Sequence, residues 1–345
     1  KTGNGRSHRC SGPSEGQDKR CLVLGLDGVL CASAEEASIA ACRAAYALWP
    51  QVMENAQEMT LNEAGVRQSW VDYDWQQLFV LRSSNLTPAP PWLLYKVQQL
   101  RPSCRAEWEM IVFARLCVEE AMACRANKTK GLVTRPLTVG EIESNWSDGL
   151  RDLLLARWVP NIKDLQEAMA QSRRQSSCSL LEETKFFGEI LELVYLTVAA
   201  GAVDESVHVI TSRDQISAVQ SLQMSGRTGN PSMSPDHQGM WAGKDGWQLH
   251  SSLGTIEEKV AAVHSIAQAR EGYGEKLVLV DDSVAFLQAC AAELNLGGAQ
   301  LCLATWGYVS HGHWADGRSR LPRVKELQAA SDLAALIGFK HSKDE

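Results

Sequence analysis

Three short apolar runs end in residues able to hold a phosphate and a hard cation. Asp27-Gly28 follows Cys21-Leu22-Val23-Leu24-Gly25-Leu26, Thr211-Ser212 follows Val207-His208-Val209-Ile210, and Asp281-Asp282 follows Lys276-Leu277-Val278-Leu279-Val280. Lys259 lies in a stretch that reads as a helix from Thr255 to Ala269. Carboxylates suit a cation such as magnesium, while a hydroxyl and an ammonium suit phosphoryl oxygens. Asp27, Asp281 and Asp282 are therefore candidate metal ligands, and Thr211, Ser212 and Lys259 candidate ligand-binding residues. Each also has a plainer reading. Asp27 can shape the turn with Gly28, Thr211 and Ser212 can cap the helix that follows, and Lys259 can be a solvated charge or a partner of Asp281 or Asp282.

What must position these residues is a parallel sheet. Apolar runs separated by helical stretches such as Thr255 to Ala269 and Val284 to Leu294 imply crossover connections. In such a sheet, ligands bind beyond the carboxyl ends of the strands. Leu301 to Thr305 adds a further strand, ending at Trp306-Gly307-Tyr308. Between the first strand and about Asp204 the periodicity is helical instead. Ser33 and Glu36 have the spacing of a capping box for a helix that reaches Trp49 and stops at Pro50. Met110, Phe113, Ala114, Cys117, Ala121 and Cys124 form one apolar stripe. Ile142 to Trp158 and Phe187 to Val198 carry two more, while Pro88 to Pro91 and Arg173 to Ser179 mark loops. The predicted class is α/β, a doubly wound Rossmann-like parallel sheet of residues 21–32 and 205–338 with an inserted α-helical cap domain at 33–204. A disordered tail at 1–20 and a mobile excursion at 226–246 complete it.

With these runs in order, the chain resembles the haloacid-dehalogenase-like hydrolase superfamily. Val23 to Leu30 is similar to its first motif, Val209 to Arg213 to its second, Lys259 to its third and Val280-Asp281-Asp282 to its fourth. The resemblance covers 21–32 and about 205–338, and within the insert Arg101-Pro102 and Trp108-Glu109 look similar to plant and algal members. It implies a helical cap where the insert stands. It also implies an Asp-x-Asp-Gly motif in which the first aspartate attacks phosphorus and the second protonates the leaving group. Gly28 sets the register, placing Asp27 second and Gly25 first. Gly25 has no carboxylate, so that position can neither form an aspartyl-phosphate nor ligate magnesium. Sliding the register to make Asp27 the attacker leaves Val29 as the acid. Losing a required nucleophile lowers turnover by roughly a million-fold, about 8 kcal/mol of barrier.

The expectation is a catalytically inactive member in which Asp27 is vestigial, with no cofactor unless magnesium still occupies the site. It would act as a structural or adaptor subunit of a larger organellar assembly, with other protein subunits as partners. Two alternatives stay open: a magnesium-dependent phosphatase of a small phosphorylated metabolite with an altered mechanism, and a non-hydrolysing sensor of a phosphorylated ligand. Most of the eleven tryptophans, including Trp70, Trp75, Trp92, Trp241 and Trp247, lie in the insert or in loops, where aromatic residues favour a protein interface, with core packing in the insert the competing explanation for about half of them. His311 and His313 lack a third ligand nearby. Arg318, Arg320, Arg323 and Lys325 around Pro322 read as a solvated basic loop.

Composition narrows the partners. Lys+Arg 34 against Asp+Glu 41 gives a net charge of -7, which does not favour nucleic acid or an anionic membrane. Ten cysteines occur singly with no metal spacing, the pattern of buried thiols in a reducing compartment. The longest apolar stretch, Ile190 to Val203, is broken by Glu192 and Thr197 and is too short for a bilayer core of roughly 30 Å. The Gly/Ser/Arg-rich run from Lys1 to Arg20 reads as the remnant of a removed transit peptide or of a truncated chain. With the plant and algal likeness it points to the chloroplast, with the mitochondrion as the alternative.

Overall fold

The structure is a computed structural model that describes residues 20–66, 89–132, 134–159, 161–175, 185–200, 203–225, 247–269, 276–293, 296–309 and 323–339. The described strands are β1 (Arg20–Gly25), β2 (Cys31–Ala32), β3 (Lys185–Phe186), β4 (Val203–Ile210), β5 (Trp247–His250), β6 (Leu277–Asp281), β7 (Gln300–Ala304) and β8 (Val324–Leu327). Six of them form one sheet in the order β5-β4-β1-β6-β7-β8, each neighbouring pair parallel. The chain runs outward from β1 through β4 to β5, then returns to the other side of β1 for β6, β7 and β8. The crevice made by that reversal opens beyond Gly25, Ile210 and Asp281.

The sheet is covered on both faces, which is why its strands are continuous apolar runs rather than alternating ones. On one face Leu22, Leu24, Val207, Val209, Val278 and Val280 pack with helices Gly188–Ala199, Gln215–Ser225 and Ala330–Leu336. On the other, Cys21, Val23, Leu277, Leu279, Leu301 and Leu303 pack with helices Ile256–Gln268 and Val284–Ala292. The α/β, doubly wound class is what the sequence predicts.

The insert leaves and rejoins the sheet through one antiparallel ribbon, in which Cys31 pairs with Phe186 and Ala32 with Lys185. Its helices include Ala34–Leu48, Pro91–Gln99, Glu109–Thr129, Val139–Asn145, Asp148–Trp158 and Ile162–Gln175. They bury a separate apolar cluster in which Ile39, Trp92, Leu93, Phe113, Cys117 and Leu165 take part. Helix Gly188–Ala199 falls in the stretch expected to belong to the insert, yet its Ile190, Leu191 and Val194 pack on the sheet.

Other expectations need correction. The stripe from Ile142 to Trp158 is two helices, because the Ser147 side chain accepts the Leu150 N–H and starts a second one. Trp92 follows the core-packing alternative: it lies buried in a helix of the insert and its indole N–H donates to the Ala56 carbonyl at 3.2 Å. Trp247 likewise lies in β5. Arg173 is helical, in Ile162–Gln175. Arg323 donates to the carbonyls of Leu296 and Gly297 at 3.0 and 2.5 Å instead of joining a free basic patch. Residues 1–19, Trp70, Trp75, Pro88, 176–179, 226–246 with Trp241, His311 to His313, Arg318, Arg320 and Pro322 lie outside the described residues. Among the described residues, no helix is long and apolar enough to cross a membrane.

Candidate functional site

The strand ends bring every predicted site residue to one pocket of ≈ 30 Å³. Asp27, Thr211, Ser212, Lys259, Asp281 and Asp282 all line it, together with Gly25, Arg101 and Tyr308. Gly28 makes the turn that aims Asp27. Its φ is +80°, and a Cβ there would collide with the Asp282 carboxylate, so only glycine fits. Gly25 offers no functional group, and the space beside it is taken. An ideal Cβ at that position would lie 2.8 Å from Asp281 Oδ2 and 3.1 Å from Val29 Cγ2.

Asp27 is fully engaged by its neighbours. Its Oδ1 accepts from Ser33 Oγ at 2.5 Å and from Arg213 Nε and Nη2 at 3.0 and 2.6 Å. Its Oδ2 accepts from Thr211 Oγ1 at 3.1 Å and from Arg213 Nε at 3.2 Å. Burial works to raise this carboxyl, but the Arg213 guanidinium, with Arg173 and Ser33 behind it, overrides burial and holds it well below the usual carboxylate range. Thr211 is thereby turned inward. Its oxygen also accepts the Arg213 backbone N–H at 3.1 Å, so its hydroxyl is not presented to a ligand as expected. The following helix is capped by Asp214, which accepts the Ser217 N–H at 3.2 Å, and not by Thr211 or Ser212.

From Asp27 a line of buried charge runs into the insert. Arg213 Nη2 also donates to Glu36 Oε2 at 2.8 Å, and Arg173 Nε donates to Glu36 Oε1 at 2.7 Å. Arg173 then grips Glu107 through both Nη1 and Nη2. The capping box expected of Ser33 and Glu36 does not form, because Ser33 bonds Asp27 and Glu36 bridges the two arginines. Alternating signs let each charge be satisfied out of water; removing one would strand its partners. Two further ties join insert to core. Trp108 Nε1 donates to the Gly254 carbonyl at 3.0 Å, and the Ala34 N–H donates to Tyr308 Oη at 2.7 Å.

Asp281 and Asp282 face the pocket under a different field. Asp281 Oδ1 accepts the Ser283 N–H at 2.8 Å and Asp282 Oδ2 accepts the Tyr308 N–H at 2.9 Å. Burial raises Asp281 against the pull of Lys259 and the Ser283 N–H. Burial and the neighbouring Asp281 charge push Asp282 up to about 6. Lys259 Nζ stands 5.5 Å from the centroid of the Phe286 ring.

Asp27, Asp281 and Asp282 are the candidate magnesium ligands, and the donor set does not fit the ion. Both Asp27 oxygens already accept from a guanidinium that is cationic in its own right, and one oxygen of each of the other two acids accepts a backbone N–H. Among the described residues, no group of three or more His, Cys, Asp or Glu side chains is arranged to hold a metal ion. Arg101, Glu107, Arg173 and Tyr308 were not anticipated at the site. Arg101, Glu107 and Arg173 come from distant segments with no spacing to announce them, while Tyr308 follows the strand that ends at Thr305. Arg213 had a signal, two residues beyond Thr211 in a strand-end loop.

No family model and no curated protein matches the chain. Among solved structures it is similar to a predicted phosphatase from Clostridium acetobutylicum, at 11% identity and a TM-score of 0.45, covering 93% of this chain and 99% of that one. It is also similar to a predicted phosphoglycolate phosphatase from Haemophilus somnus, at 13% identity and a TM-score of 0.46, covering 93% and 99%. A haloacid dehalogenase-like family hydrolase from Streptococcus pneumoniae is similar at 14% identity and a TM-score of 0.38, covering 92% and 98%.

Proposed function

We propose that the chain is a haloacid-dehalogenase-like protein whose strand-end pocket does not carry out phosphoryl transfer through an aspartyl-phosphate, and that it serves as a structural or adaptor subunit of a larger assembly. The observation that carries this reading is the engagement of Asp27. The acid left in the motif is clamped by Arg213, Ser33 and Thr211, and its depressed pKa removes it as a proton donor near neutral pH. Gly25 contributes no attacking oxygen. The charged line from Asp27 to Glu107 fastens the insert to the core, as suits a scaffold more than a cap that opens at each turnover. The resemblance of the insert to plant and algal members favours the chloroplast, with the mitochondrion second.

A second reading is a phosphatase of a small phosphorylated metabolite with an altered mechanism. Asp282 favours it, since a carboxyl pushed up to about 6 is matched to acid–base work near neutral pH. One assay separates the two. Full-length protein is incubated with an activated aryl phosphate, with and without magnesium, beside Asp282→Asn. The first reading expects no turnover from either protein; turnover that Asp282→Asn abolishes would establish the second. Co-purification from native extract as a stable stoichiometric complex supports the adaptor role, and a free monomer counts against it.

A further inference from the structure

At the edge of the sheet two histidines meet. His208 of β4 and His250 of β5 are diagonal neighbours on one face, since His208 pairs with Gln248 and Ile210 with His250. His208 Nδ1 lies 3.0 Å from His250 Nε2, and the ring centroids are 5.3 Å apart with 29° between the planes. The centroid distance exceeds the nitrogen distance by about two ring radii, so the rings point at one another end to end, and one nitrogen donates its hydrogen to the lone pair of the other. The pair accepts a neutral or a singly charged state. Two imidazolium rings would face N–H to N–H, with no acceptor between them and with like charges in contact.

What the pair holds is the end of an edge strand. β5 is only Trp247–His250 and is bonded to β4 alone within the sheet. At its end the His250 carbonyl accepts the Thr211 N–H at 3.0 Å, the Arg213 carbonyl accepts the Ser252 N–H at 2.6 Å and the Thr211 carbonyl accepts the Leu253 N–H at 3.2 Å. Ser252 has φ +62°, a left-handed conformation that a serine keeps only where its surroundings hold it. The loop that carries Arg213 is thus clipped from behind by the segment His250 to Leu253.

Helix Ile256–Gln268 covers this face through Val263, Ile266 and Ala267 beside Ile210. Of its titratable residues, Glu258 accepts the Thr255 N–H, Lys259 stands over Phe286, His264 faces Glu293 and Glu257 is exposed. On β1, Arg20 donates to Gln300 and Cys21 is a buried thiol. Asp204 and Glu205 stand near the other end of β4, and beyond its carboxyl end Arg213 bonds Asp27 and Asp214 bonds Ser217. Burial lowers His250 from its ordinary 6.5, so as pH falls through that value the opened form takes up protons more readily than the closed one.

We propose that the His208–His250 pair is an acid-sensitive catch: with at most one charge it holds β5 to β4, and a second proton releases β5 together with the loop from Thr211 to Arg213. This goes beyond the reading above and needs neither turnover nor a partner.

The test is amide hydrogen exchange of the full chain, read as protection factors so that the intrinsic pH dependence of exchange cancels. Between pH 7 and pH 5 the wild type is expected to lose about tenfold or more of its protection at Trp247–His250, Thr211 and Leu253, because opening draws in protons. Helix Glu109–Thr129 is expected to keep its protection, which separates opening of the catch from global unfolding. In His250→Gln the amide oxygen accepts from a charged His208, so protection is expected to stay within about threefold over the same interval. His264→Gln, at the pair with Glu293, is expected to behave as wild type. Nitrogen-15 spectra of the imidazoles in the native protein give a second readout that needs no variant: both rings are expected to be fully charged only where β5 has lost protection. Level protection from pH 7 to pH 5, an equal fall in helix Glu109–Thr129, an equal fall in His250→Gln, or two fully charged rings within a protected β5 overturns the proposal.

Discussion

The Asp281 carboxylate occupies the space into which a side chain at Gly25 would grow, with Oδ2 2.8 Å from an ideal Cβ there. The bare position at 25 and the inward position of Asp281 are therefore one arrangement, and a side chain at 25 requires Asp281 to move.

Gly25→Ala is accordingly expected to destabilise the protein by about 1–3 kcal/mol, the usual range for overpacking a tight interior. To admit the methyl group, Asp281 must turn, which disturbs the bond from the Ser283 N–H at 2.8 Å. In an Asp281→Ala background the same substitution should cost much less. A double-mutant cycle by urea denaturation reads that coupling, and additive effects would disprove the arrangement.

Arg213 is the node between core and insert, with its side chain fully buried against Asp27 and Glu36. Arg213→Met leaves two buried carboxylates without their cation, for an expected loss of about 3–5 kcal/mol. Arg213→Lys should recover only part of that, since one ammonium cannot serve Asp27, Glu36 and Ser221 at once. Arg173→Met strands Glu36 from the other side, so the double variant should lose less than the sum of the singles. Denaturant midpoints measure all three.

How much of this could be read from residue order follows from the range of the forces involved. The apolar runs ending at Gly25, Ile210 and Asp281 announce strands because each is buried on both faces. Asp27-Gly28, Thr211-Ser212 and Asp281-Asp282 then converge because parallel strands end on one side. The short outer strands β5 and β8 carry no such signal: only Trp247 and Leu327 of their residues are buried. Glu36 shows why the site's wiring was hidden. Three residues after Ser33 it has a capping spacing, yet pairing with Arg173, 137 residues away, prevails. Long-range pairing of buried charge leaves no local period.

Thiol chemistry should report on how firmly the insert stays closed. Of the eight described cysteines all but Cys124 are buried. Burial pushes the Cys117 thiol up to about 11 and those of Cys290 and Cys302 up to about 12. Reaction needs the thiolate and access to it. In native protein at pH 8, Cys124 is expected to react first among these eight, and Cys124→Ser should remove one fast-reacting thiol in a spectrophotometric titration. Rapid labelling of Cys31, at the ribbon where the insert joins the sheet, would show instead that the insert opens.

Stability should depend on pH through buried acids of opposite sign, Asp282 and Asp27 among them. Asp282 has its folded pKa raised to about 6 from 3.8, so the folded state holds that proton more tightly than the unfolded chain. Its contribution is most favourable below pH 3.8, declines as pH rises through about 6, and is level above that. The size is on the order of 2–3 kcal/mol, because each tenfold gain in proton affinity on folding is worth about 1.4 kcal/mol. Asp27 works the other way: its depressed pKa gives stability that is present above pH 3.8 and lost as pH falls below it. Asp281, Glu109 and Glu120 are raised as well and His250 is lowered, so between pH 4 and pH 7 Asp282 is read from the difference between the urea midpoints of wild type and Asp282→Asn. Asp282→Asn is expected to flatten the decline across that interval and leave the fall below pH 3.8 in place. A decline of unchanged slope in Asp282→Asn would place the titrating carboxyl elsewhere.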